Sequence, residues 1–379
     1  KVLDTDKAQA VLSTLIAQHP LLQSVVIPQD EQLVFVSKPD FTCTIELCNN
    51  TSFEDVYQQA QNTAVNPAEG MIQCLLAQDG EQSYIVFLIH HCISDGASVA
   101  AFLNDFMALY ADDTEAALYS TPQAIETLAA APSLSADDIR QQEQAKIDAL
   151  EPIRMPYKPE LELTTQPYMS TISRQLKPCE STQLIAASKA KQCTVHGVIS
   201  AALIQACAEL ANSVYQRDDL ALTVKYALDI RRRLPAPLPA RHMFAAVTAY
   251  NETYPINKAT HFWQLAKDTQ QRIHNYLDNE GANKSAHAFS AKRSVENANV
   301  ALMISNIGLS GLRPVYGDIE VIDAHVHATV LAPCPVVSIL TVNGKIHLDF
   351  SFTQPYVPQY ATTQIANRAM DILRTELVL

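Results

Sequence analysis

No run of apolar residues in this chain approaches the roughly 18 to 20 needed to cross a bilayer, so no membrane-spanning segment is expected. No signal-type segment opens it either, although the first residue is Lys1 and not Met. Basic clusters are equally scarce. Nothing exceeds Arg231-Arg232-Arg233, and 27 basic against 40 acidic side chains give a net charge of −13. That balance sets nucleic acid aside as a partner, because a phosphate backbone calls for a basic stripe. The eight cysteines contain no Cys-x-x-Cys pair and no Cys/His spacing suited to zinc. They read as reduced, mostly buried thiols, and no metal is expected. Internal repeats and low-complexity tracts are absent as well. A soluble cytoplasmic protein, monomeric, is the expectation that remains.

What is present is length and alternation. A chain of 379 residues can bury a large core and implies two domains, or two halves with a cleft between them. Residues 4–19 have helical spacing, with Ala8, Val11, Leu12, Leu15 and Ile16 on one face and Pro20 behind them. Strands are expected at 32–36, 71–77 and 83–90, and a helix at 97–110. Composition turns to Ala, Asp, Glu, Gln and Pro over 111–167, with a polar helix at 135–150. Beyond it the pattern predicts strands at 170–176, 220–228, 244–251, 298–305, 319–331, 336–342 and 345–352. Helices are expected at 180–191, 194–210, 260–277 and 362–376. Asn343-Gly344 is a hairpin signal between the last two strands. The reading is an α/β (α+β) protein with an N-terminal half at 1–150, a linker at 151–167 and a C-terminal half at 168–379.

One stretch carries chemistry. His90-His91-Cys92-Ile93-Ser94-Asp95-Gly96 follows the apolar run 84–89 and precedes the helix at 97–110, which places titratable groups at a strand end. Imidazole exchanges protons near neutral pH, so a general base is the natural functional reading; two histidines satisfied by nearby backbone is the structural one. Cys92 could be read as a nucleophile, but a nucleophilic thiol needs its base on a separate element, and Cys92 directly follows His91. His325 and His327 alternate on one face of the strand expected at 319–331. They read as core or cleft-lining residues, since no third ligand is apparent in the sequence around them.

The pattern His90-His91-x-x-x-Asp95-Gly96 at a strand end resembles the signature of the chloramphenicol-acetyltransferase-like superfamily, which includes nonribosomal peptide condensation domains, wax ester synthases and polyketide-associated acyltransferases. Val224 to Arg231, followed by a Pro-rich loop at 234–239, is similar to a strand ending in Asp-Leu-Arg in that group. Ile304-Ser305-Asn306-Ile307-Gly308 resembles a Ser-Asn-x-Gly strand end found in several members. The similarity covers most of the chain and comes nearest to the freestanding phthiocerol dimycocerosyl transferase type. Two features depart from relatives: the Asp-Phe-Gly-Trp-Gly motif of the plant enzymes is absent, and no carrier or adenylation segment adjoins the sequence. The chain also opens on what resembles the end of the family's first strand.

The resemblance implies two similar halves in a V-shaped pseudo-dimer, with a channel between them. It implies an acyltransferase, for groups other than aminoacyl groups, moving an acyl group from a coenzyme A or carrier-protein thioester to an alcohol or amine. Such chemistry serves secondary metabolism or lipid biosynthesis. His91 would be the general base, attack would be direct, and no cofactor would stay bound, acyl-coenzyme A or acyl-phosphopantetheine being a co-substrate. His90, Asp95 and Gly96 would be structural: His90 turned to the opposite side of the strand, Asp95 paired with Arg231 of the other half, Gly96 allowing a tight turn. Ser305 and Asn306 are candidates for polarising the oxyanion or, equally, for capping a strand. Arg232 and Arg233 are candidates for phosphate contacts or for a solvated turn. Two other functions stay open: a standalone condensation enzyme forming an amide between carrier-bound substrates, and a catalytically silent homologue that binds a carrier protein or lipid.

Overall fold

A computed structural model of the chain describes residues 2–30, 32–48, 52–113, 118–120, 123, 125–129, 135, 138, 141, 144–145, 147–156, 166–278, 299–329 and 332–377. They form two compact units of mixed α/β structure. The first takes Lys1–Gln123, Leu238–Ala246 and Leu309–Val326; the second takes Ala124–Pro237, Val247–Gly308 and His327–Leu379. A division into 1–150 and 168–379 does not contain this return of two late segments to the first unit. Their reason is hydrophobic: Met243, Tyr316 and Ile319 from those segments are buried in the first unit's core. Most of the expected linker at 151–167, and seven of the sixteen residues of the polar helix expected at 135–150, lie outside the described residues.

In the first unit, α1 (Thr5–Gln18) begins where the Asp4 carboxylate accepts from the Lys7 N–H at 2.8 Å. Its buried face carries Ala8, Val11, Leu12, Leu15 and Ile16, the residues whose spacing predicts it. It packs with α3 (Gly96–Tyr110), whose Phe102 and Phe106 meet Phe87 edge-on. Beneath them lies a three-stranded sheet of β3 (Ile45–Cys48), β4 (Ile72–Asp79) and β5 (Gln82–Ile89), with β3 parallel to β4 and β4 antiparallel to β5. The pattern does not predict β3, nor β1 (Ser24–Gln29) and α2 (Phe53–Gln61). β1 contains Pro28, which lacks an N–H; the strand tolerates it because it belongs to a two-stranded ribbon with β2 (Gln32–Ser37). α2 buries only Val56, Ala60 and Gln61, too few for a helical period to stand out.

The second unit is built on a six-stranded sheet, β6 (Tyr168–Leu176), β13 (Lys345–Gln354), β12 (Val336–Val342), β9 (Val300–Leu309), β7 (Asp219–Asp229) and β8 (Val247–Asn257), in that spatial order. Helices α4 (Pro178–Ala190), α5 (Val195–Tyr215), α6 (Phe262–Asp278) and α7 (Gln359–Leu377) cover one face with a continuous apolar core. α5 and α6 approach so closely that a Cβ on Gly197 would lie 2.6 Å from the Ala266 carbonyl oxygen. α5 is also, against the expectation of no such segment, long and apolar enough to span a bilayer; its 21 residues are apolar because it is the central core helix. Asn343 (φ 49°) and Gly344 (φ 75°) make the expected tight turn between β12 and β13.

The strand expected at 319–331 is corrected. Only Ile319–Glu320 is a strand, β11, paired with β10 (Val315–Tyr316), and residues 321–329 run without regular structure. Both edges of the neighbouring β12 are already taken by β13 and β9, so this segment has no ladder to join. All eight cysteines are free, but Cys92 and Cys179 are exposed and Cys48 and Cys193 half-buried, so the thiols are less uniformly buried than expected.

His19 ends α1 and is 2% exposed, stacked on Tyr119 at 4.5 Å. Burial, helped by His242, lowers its pKa from 6.5 to about 4. Unfolded, His19 takes up its proton below 6.5; folded, it refuses it until about 4. Stability from this residue is therefore complete above 6.5 and drains away as pH falls toward 4, on the order of 3 kcal/mol in all. Urea midpoints should fall between pH 7 and pH 4.5 more steeply for the wild type than for His19→Phe; parallel curves would refute this.

Candidate active site

The motif is shaped by where β5 stops. Its last residue is Ile89, and the His90 N–H still reaches the Met71 carbonyl at 2.9 Å before the chain turns, with the Ile93 N–H on the His90 carbonyl at 3.2 Å. His90 thus sits in the turn, past the strand, and the expected alternation of His90 and His91 across a strand does not apply. Its Nδ1 accepts from the Cys92 N–H at 3.2 Å. Burial and the adjacent His91 lower its pKa, which favours the neutral ring.

His91 is exposed, and its Nδ1 lies 2.7 Å from the Ser94 carbonyl oxygen. A carbonyl only accepts, so Nδ1 carries the proton and Nε2 of the neutral ring presents a lone pair. The turn therefore selects the tautomer a general base requires. Ser94 is buried, and its hydroxyl donates to the His90 carbonyl at 3.2 Å, so the oxygen that orients His91 is itself held. The exposed Cys92 has its sulfur 3.9 Å from the Met71 sulfur, and desolvation pushes the thiol up to about 11, which disfavours the thiolate a nucleophile needs.

Asp95 is 7% exposed and is the N-cap of α3. Its Oδ1 accepts from the Ser98 N–H at 3.0 Å, while the Ser98 hydroxyl accepts from the Asp95 N–H at 2.9 Å, a reciprocal capping box. Its Oδ2 accepts from the Ala246 N–H at 2.9 Å, so the carboxylate also holds one of the segments that return to the first unit. A triad role, with Asp95 orienting the imidazole, does not fit: His91 Nδ1 is occupied by the Ser94 carbonyl. Gly96 is the first residue of α3 and is not among the positive-φ glycines of the described residues. The turn is made instead by Asp95, extended at φ −140°, ψ 179°. Ser94, Ser98 and Ala246 were not singled out from the sequence; only Asp95-x-x-Ser98 before an apolar helix signals a box.

The remaining candidates belong to the second unit. Arg231 opens a short 3-10 turn after β7 and is 2% exposed, with its N–H on Asp229 Oδ1 at 2.9 Å and its guanidinium 3.4 Å from the same atom. Asp95 belongs to the first unit and Arg231 to the second. Arg232 is exposed, and Arg233 is engaged by Asp278 at 2.5 Å. Ser305 and Asn306 fall on β9. Asn306 Oδ1 accepts from the Gly308 N–H at 3.0 Å near the end of the strand, a bond that uses the amide oxygen and not the NH2. The two readings of Asn306, cap and donor, are therefore compatible. His325 lies beside Phe53 with ring centroids 6.3 Å apart, and neither it nor His327 is on a strand.

Profiles of two known families match the sequence: Condensation domain over residues 1–204, and Phthiocerol/phthiodiolone dimycocerosyl transferase C-terminus over residues 165–350. No curated protein sequence gives a significant match. Among solved structures, polyketide synthase associated protein 5 from Mycobacterium tuberculosis is 14% identical, with a TM-score of 0.71 over 100% of this chain and 92% of that one. TRI3 trichothecene 15-O-acetyltransferase from Fusarium sporotrichioides is 13% identical, with a TM-score of 0.77 over 99% and 87%. The EpoB NRPS cyclization-docking bidomain from Sorangium cellulosum is 14% identical, with a TM-score of 0.69 over 99% and 78%. At such identities the likeness is one of fold.

Proposed function

Because this chain belongs to the condensation-domain family, we propose that it transfers an acyl group from a coenzyme A or carrier-protein thioester to an alcohol or amine, with His91 as general base. Acyl transfer in general follows from the family; the donor, the acceptor and the base are the finer part of the proposal. The observation that carries it is the 2.7 Å contact between His91 Nδ1 and the Ser94 carbonyl, which leaves Nε2 as an acceptor on an exposed ring. Nε2 takes the proton of the acceptor hydroxyl or amine as its oxygen or nitrogen attacks the thioester carbonyl. The tetrahedral oxyanion then collapses, the carbon–sulfur bond breaks, and the imidazolium returns the proton to the departing thiolate. No acyl-enzyme is required, and the raised Cys92 thiol supports that economy.

Asn306, whose hydrogen bond to Gly308 uses the amide oxygen, keeps an NH2 of the type that can donate to an oxyanion. Arg232 is the better candidate for a phosphate of the donor, since Arg233 already has Asp278. TRI3 is by name an O-acetyltransferase and EpoB a cyclization-docking bidomain, which supports offering alcohols and carrier-bound substrates alike. Condensation domains do not restrict the donor to non-aminoacyl groups, so aminoacyl thioesters stay within the proposal. The test is mass spectrometry of products from a panel of acyl- and aminoacyl-thioesters, on coenzyme A and on a phosphopantetheinylated carrier, with mixed alcohols and amines. An ester or amide formed only with enzyme is expected. Product from carriers alone would select the condensation alternative, and no product from any donor would select the silent one.

A further inference from the structure

β1 and β2 of the first unit make a ribbon of two strands, so each has one edge with no strand beside it among the described residues. The two edges are not alike. The Lys38 N–H donates to the Gln23 carbonyl at 2.7 Å, which continues the register of Ser24 with Ser37 and fixes the alternation along the ribbon. Gln32, Val34 and Val36 turn their backbone groups toward β1; Leu33, Phe35 and Ser37 turn theirs away. On β1 the same alternation turns Ser24, Val26 and Pro28 outward. There the Val26 N–H is taken by the Pro67 carbonyl at 2.7 Å, and Pro28 has no N–H to offer, so this edge is closed.

The edge of β2 has neither protection. Gln32-Leu33-Val34-Phe35-Val36-Ser37 contains no charge and no proline, the devices that keep edge strands apart, and Leu33, Phe35 and Val36 are 76%, 50% and 38% exposed. A second copy of the same strand fits it. Two β2 strands running antiparallel about a two-fold axis at Phe35 set Leu33 opposite Ser37 of the second copy, Phe35 opposite Phe35 and Val34 opposite Val36. The residues whose backbone faces outward are then the ones that meet, and each such pair exchanges both N–H···O bonds. The phenyl rings form an aromatic cross-strand pair on the axis. Charge agrees with this partner. A chain of net charge −13 meets its copy along an uncharged stretch, and Lys38 falls opposite Gln32 of the second copy, two residues from the acidic Asp30 at that hairpin's tip.

We infer that the protein forms a symmetric dimer, in place of the expected monomer, in which the β2 strands of two copies pair edge to edge into one four-stranded sheet. The interface uses the same patch on both copies and so closes on itself. Growth stops at two because the outer edges of the new sheet are those of β1, where Pro28 and the Pro67 carbonyl leave no open ladder.

The test is sedimentation velocity of the full-length protein over a concentration series, with amide hydrogen exchange of the wild type as a readout that needs no variant. A concentration-dependent shift to twice the monomer mass is expected, with slowed exchange at Leu33, Phe35 and Ser37 in the dimer. Phe35→Lys and Leu33→Lys should stay monomeric at every concentration, since each puts a charge on the edge and the first sets like charges directly opposite each other. Both side chains are exposed, so the hairpin should tolerate the change, which circular dichroism verifies. Ile27→Lys, at a position 37% exposed on β1, should dimerise as the wild type does. A monomeric wild type, a dimer that survives Phe35→Lys and Leu33→Lys, equal loss in Ile27→Lys, or unslowed exchange of the three amides in the dimer would overturn the pairing.

Discussion

Replacing His91 with alanine should lower acyl transfer by about 10²- to 10⁴-fold, the usual contribution of a positioned general base, while leaving the protein folded. In the proposed mechanism the loss falls on turnover, since Nε2 would be the proton acceptor and the structure ties the other nitrogen to a backbone carbonyl at 2.7 Å. Stability should change little. The ring is exposed, and the substitution removes one hydrogen bond to a carbonyl, a net loss of under about 1.5 kcal/mol. Full activity in a folded His91→Ala protein would remove His91 from the mechanism.

Asp95→Ala should give the largest stability loss at the motif, about 3 kcal/mol in urea unfolding at pH 7. An N-cap substitution costs about 0.5 to 2 kcal/mol, and leaving a buried N–H without its acceptor costs about 1 to 3 more. Both terms apply, since Oδ1 caps α3 through Ser98 and Oδ2 receives the Ala246 N–H. Asp95→Asn should fall between, keeping the cap through its carbonyl oxygen but setting an amide NH2 against the Ala246 N–H. Ser98→Ala should cost about 1 kcal/mol, as it breaks one arm of the box. Activity should follow stability in these variants, with the pH profile of the wild type. An Asp95→Ala protein as stable as the wild type would refute the assignment of Asp95 as cap and tether.

Much of this protein is legible in its sequence. The apolar face of α1, the helix α3, the tight turn at Asn343-Gly344 and the strands β12 and β13 follow from local periodicity and turn chemistry, and the structure has them where the pattern puts them. The motif from His90 to Gly96 at a strand end is likewise a local fact, because an apolar run, a polar turn and an amphipathic helix succeed each other within thirty residues. Where local patterning is thin, the sequence misleads. β1 hides behind Pro28, α2 behind a small buried face, and the apolar alternation after Ile319 suggests a strand that has no partner edge.

The sequence by itself determined which residue types stand at the site and in what order: two histidines, a carboxylate four residues beyond, a helix to follow. Only the tertiary structure decided what each does, because roles depend on atoms that sequence distance cannot place. The Ser94 carbonyl selects the tautomer of His91, Asp95 reaches 151 residues forward to the Ala246 N–H, and Cys92, its sulfur beside that of Met71, has its thiol pKa raised by desolvation. In the second unit, His327 meets Asp349 and Ser351 across the chain, with no local pattern to announce it. Periodicity is set by neighbours along the backbone; protonation and hydrogen bonding are set by neighbours in space.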